Sequence, residues 1–87
     1  MKPGEEIIEQ GIRDLAAGHE SIPALLVSIG APRLRRLGLD IPITTHLSPE
    51  HRLYEMLVTA NGDAAHSKYN ALIRRLTSFE RAAECGM

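Results

Sequence analysis

Four histidines, one cysteine and a group of N-terminal glutamates are the residues of this chain best suited to metal or acid–base chemistry. A metal centre needs three or four such ligands around one ion. His46 and His51 lie close in sequence, and His66 follows further on. If residues 49–60 and 64–84 are two helices joined near Gly62, His51 and His66 lie roughly 20 Å apart along the pair. His46 and His51 alone lack a third ligand. No metal and no cofactor are expected. Glu5, Glu6 and Glu9 are a carboxylate set of the kind that holds magnesium, with Glu5 and Glu9 on one helical face. No second carboxylate pair follows at comparable spacing, so they read as an acidic first turn facing water. Arg13 and His19 would pair across Gly18, which interrupts the helix between them. Ser21, Ser28, Ser67 and Ser78 have no base beside them, and Cys85 falls where the chain is expected to fray. No catalytic residue is expected.

The basic residues suggest a different chemistry. Arg33, Arg35 and Arg36 follow Gly30, and a glycine commonly separates the two helices of a helix-turn-helix. The segment after it spans only about six residues before Gly38, short for a recognition helix. Lys68, Arg74 and Arg81 form a second basic set, without interleaved aromatics on which bases could stack. A solvated, salt-bridged face is the simpler reading of both. The last helix also carries Ala64, Ser67, Ala71, Ser78 and Ala82 within roughly 60° of one another, a strip that admits a close helical neighbour. Arg75 shares a side with Lys68. A partner-binding face of Ala64, Ala71, Arg75 and Ser78 is the expectation.

These residues have to be positioned by helices. Residues 5–17 place Ile7, Ile8, Gly11, Ile12, Leu15 and Ala16 on one half of the wheel, and Gly11 leaves room there for a second helix. Gly18 is placed for a left-handed cap. Ser21 then caps a segment, Ala24 to Ile29, that is apolar nearly all round and belongs at the centre. Gly30 is expected to end it, and Pro32 to start a short turn over Arg33–Leu37, stopped by Gly38. Residues 39–47 alternate at Leu39, Ile41 and Ile43 and read as an extended connector. Ser48-Pro49 starts the next helix, whose apolar arc of roughly 200° needs two neighbours. Asn61-Gly62 breaks it, and Asp63 is placed to cap the last helix. There Ala65, Tyr69, Leu72, Leu76, Phe79 and Ala83 form a seam spaced four and three. Leu76 is expected to face the preceding helix across an antiparallel hairpin.

The 87 residues, 44% apolar and 24% charged with net charge −1, make an ordinary globular chain of a single domain, residues 1–87. Phe79, Tyr54 and Tyr69 are its only aromatics, and one cysteine forms no internal disulfide. The acidic start is unlike a secretory signal, and no apolar run approaches a membrane span. The expectation is a cytoplasmic all-α bundle of four main helices plus a short helical turn. Its leading function is a non-enzymatic protein-interaction module, as a homodimer or an adaptor. The alternative is a nucleic-acid-binding regulator using Arg33, Arg35 and Arg36. A third is an enzyme whose site is assembled only in an oligomer, from His51, His66 or the N-terminal glutamates.

Overall fold

The acidic first turn and apolar stripe of the N-terminal segment produce helix α1 (Glu5–Ala16), with Ile8 and Gly11 buried. The computed structural model describes residues 4–42 and 48–85. Gly18 adopts a φ of 77°, which lets the His19 N–H donate to the Asp14 carbonyl at 2.8 Å and closes the helix end. The chain then turns into α2 (Ile22–Arg36). Ser21 Oγ accepts from the Ala24 N–H at 3.1 Å, the cap expected of it. Its hydroxyl donates to Asp14 Oδ2 at 2.6 Å, so one serine ties both helices at their junction.

Helix α2 is central, in contact with each of the other helices. Leu25, Leu26, Val27 and Leu34 are fully buried along it. It also corrects two expectations. Gly30 does not end the helix, and no separate turn begins at Pro32; the helix runs unbroken to Arg36 with Pro32 inside it. Pro32 has no N–H for the Ser28 carbonyl, a loss of about 3 kcal/mol in an exposed helix. Continuing past it keeps Ala31 and Leu34 buried among residues of the other helices, and that burial outweighs the missing bond. Gly38, at φ 97°, provides the stop instead: the Leu39 N–H reaches back to the Leu34 carbonyl at 3.1 Å. Beyond it Ile41 is buried and Leu39 half-buried, as alternation requires, with Asp40 exposed. Ile43 and His46, also assigned to the connector, lie outside the described residues.

Pro49 opens α3 (Pro49–Asn61) at the expected place, although the Ser48 side chain makes no capping bond. Asp63 does not cap the final helix as expected; it lies within a 3-10 turn, Gly62–Ala64, that leads into α4 (Ala65–Cys85). Tyr54 and Tyr69, on either side of that turn, meet edge to face at 5.7 Å, so α3 and α4 form the expected antiparallel hairpin. The seam is buried at Ala65, Leu76, Phe79 and Ala83 and half-buried at Tyr69 and Leu72. Leu76 stands against Gly30 of α2, so this part of the seam also reaches the central helix. The fold is all-α, four helices and one 3-10 turn among the described residues.

Candidate functional site

The strip runs along α4 except at Ala64, which lies in the 3-10 turn before it. Ala64, Ser67, Ala71, Arg75 and Ser78 are exposed, while Ala82 is half-buried. Its middle borders a hollow of about 410 Å³ lined by Ile22, Leu57, Asn61, Lys68, Ala71, Leu72 and Arg75. Three elements build it. The start of α2 brings Ile22, the end of α3 brings Leu57 and Asn61, and α4 supplies the rest. Ile22, Leu57 and Leu72 give it an apolar floor, and Lys68 and Arg75 stand on its rim, two helical turns apart on one face. The strip itself was legible as a helical pattern. The hollow was not, since its floor combines residues from three helices that read separately as core.

The first arginine cluster is divided by the fold. Arg33 reaches Glu84 Oε2 at 2.6 Å. Arg35 donates to the Ile41 carbonyl at 3.2 Å and the Pro42 carbonyl at 3.1 Å, holding the connector against α2. Arg36 is exposed. Arg74 and Arg81 are exposed, while Arg33 and Arg35 are engaged within the chain.

The histidines are dispersed. His51 lies 3.6 Å from Glu55 on its own helix, and His66 is 3.2 Å from Asn70. Among the described residues no three of His, Cys, Asp and Glu converge as a metal-holding group. Glu5 and Glu9 border a second hollow of about 270 Å³, floored by Ile8, Ile12, Leu37, Leu39, Phe79 and Ala83. Glu6 is exposed.

One carboxylate that the helical pattern assigns to a solvated, salt-bridged face is buried instead. Glu80 is only 6% exposed and sits where α4 crosses Gly30. Burial pushes its carboxyl above the usual range; Arg33 opposes the shift and Glu84 adds to it. Asp14 moves the other way, held down by the Ser21 hydroxyl and then by Gln10. Both belong to helix junctions. No helix among the described residues is long and apolar enough to cross a membrane. Comparison with protein-family models, curated proteins and solved structures finds no match for this chain.

Proposed function

We propose that this chain is a small protein-interaction module that receives a partner on the outer face of α4 and the hollow beside it. The observation that carries the reading is the juxtaposition at Ala71. There an exposed small-residue strip meets an apolar floor of Ile22, Leu57 and Leu72. Small side chains let a second backbone approach closely, and the floor offers apolar surface to bury. The exposed Tyr54 and Val58 on α3 add apolar surface elsewhere on the same hairpin. The partner is a second copy, giving a homodimer, or another protein, making the chain an adaptor. Binding to nucleic acid draws less support, because Arg33 and Arg35 already have partners within the chain.

The test is affinity capture from the native source with the wild-type chain and with Ala71→Arg, alongside sedimentation of each. The substitution fills the strip without touching the seam. The expected result is a captured protein, or a dimer, that is lost in the variant while its thermal melt matches wild type. Identical capture and identical mass for both would exclude this face.

A further inference from the structure

We infer that the hollow on α4 is shaped for an acidic amphipathic helix of another protein rather than for a second copy of this chain. The inference rests on the proposed docking face and names its occupant. The first fifteen residues of α4, Ala65–Phe79, contain Lys68, Arg74 and Arg75 and not one aspartate or glutamate. The carboxylates of this helix come later, at Glu80 and Glu84, and Glu84 is already paired with Arg33. Among the described residues, neither Lys68 nor Arg75 has an ion-pair partner. The rim is therefore uniformly cationic, about 10 Å between its two charges along the helix axis. The hollow between them is floored by Ile22, Leu57 and Leu72.

Symmetry sets this surface against itself. A two-fold axis near Ala71 with antiparallel copies of α4 would bring the Lys68 position of each copy against the Arg74–Arg75 region of the other. Like charges facing one another at close range are repulsive, and no carboxylate on this stretch of α4 relieves them. A helix with apolar residues three and four apart would fill the floor. Carboxylates about seven residues apart on its flank would meet Lys68 and Arg75 together.

Two labelled helical peptides of about 18 residues, long enough to hold a helix, provide the probes. One carries leucines spaced three and four with two glutamates seven apart. The other has lysines in place of those glutamates. Binding of each to the intact chain is followed by fluorescence anisotropy at low and high salt. The acidic peptide should bind, more weakly as salt rises. Lys68→Glu with Arg75→Glu should weaken it roughly tenfold, the scale of two exposed ion pairs. Arg74→Glu with Arg81→Glu, on the outer pole, should change it less than about twofold by the same reckoning. Equal binding of the lysine peptide overturns the inference. So do equal losses in the two double variants, or no binding of the acidic peptide below about 1 mM. A wild-type dimer that Ala71→Arg dissociates would place a second copy on the face and overturn it as well. The outcomes separate the two readings. If Ala71→Arg abolishes capture and the Lys68/Arg75 reversal does not, the face stands and its acidic partner falls. If neither variant alters capture, the face itself falls.

Discussion

Two glycines let helices cross α2, and they do so in different ways. At Gly11, α1 lies on α2 so closely that an added Cβ would overlap the Pro23 carbonyl oxygen and Val27 Cγ2, and lie 2.8 Å from the Pro23 carbonyl carbon. At Gly30, α4 lies on α2 and the three atoms nearest an added Cβ are side-chain ends: Leu76 Cδ1 at 2.8 Å, Leu76 Cδ2 at 3.1 Å and Glu80 Oε2 at 3.2 Å. The first crossing sets the Pro23 main chain against glycine, and that obstacle cannot rotate away even if Val27 does. The second is cushioned by two side chains that can. The α1–α2 crossing is thus the rigid one, and the α2–α4 crossing at Gly30 the more yielding.

Gly11→Ala should break the rigid crossing and have the largest effect. Overpacking usually costs about 1–3 kcal/mol, and here the obstacle is backbone, so a loss of about 4 kcal/mol is expected. For a chain whose total stability is of the order of 5–10 kcal/mol, that undocks α1 or unfolds the protein near 37 °C. A thermal melt followed by circular dichroism checks it. An unchanged midpoint would mean that α1 is not seated against Pro23.

Leu76→Ala attacks the cushion itself. The side chain is buried, and truncating it should cost about 2–4 kcal/mol, measured by urea unfolding. The lost contacts include those with Gly30 of α2, so amide exchange should rise around Gly30 as well as in α4. Protection lost only in α3 would contradict the observed contact.

Gly30→Ala should be mild by comparison. Alanine gains about 1 kcal/mol of helix propensity over glycine. Rotating Leu76 away from its preferred rotamer costs a similar amount, about 0.5–1.5 kcal/mol. The expected change in urea-unfolding free energy is within about 1 kcal/mol of zero, the difference of these two terms. A loss as large as that of Gly11→Ala would erase the distinction between the crossings.

The two glycines also show what was legible in the sequence. Gly11 sat inside an apolar arc, at positions that only a helix brings together, so its role as a point of close approach could be read from periodicity. Gly30 followed an apolar run and preceded Pro32, a pairing that locally looks like an ending. What carries α2 onward is the burial of Leu34 among other helices, and nothing within residues 28–36 announces that. The same limit applies to the site. Ala71 and Ser78 share a face by helical geometry alone, whereas the floor of Ile22, Leu57 and Leu72 exists only once three helices have packed. Glu80 borders the seam and reads as a surface residue; it becomes buried because Gly30 lets α2 come near.

Glu80, at the α2–α4 crossing, gives the smallest expected effect. Its carboxyl titrates higher in the folded chain than when unfolded, chiefly because it is buried. The folded state therefore holds this proton more tightly. Between the unfolded and folded titration points the native chain binds more protons, so this group's contribution falls as pH rises through that window. Below the window the carboxyl is neutral in both states and carries no ionic penalty. Above the window the buried charge opposes folding, partly relieved by Arg33. Glu80→Gln keeps the shape and removes the charge. It should be more stable than wild type at pH 7, by about 1 kcal/mol, since Arg33 offsets part of the cost of burial. That advantage should vanish on acidification to below the usual glutamate range. Urea unfolding of both proteins across this pH range measures it. A variant less stable than wild type at pH 7 would show that the charged form, paired with Arg33, holds this crossing together.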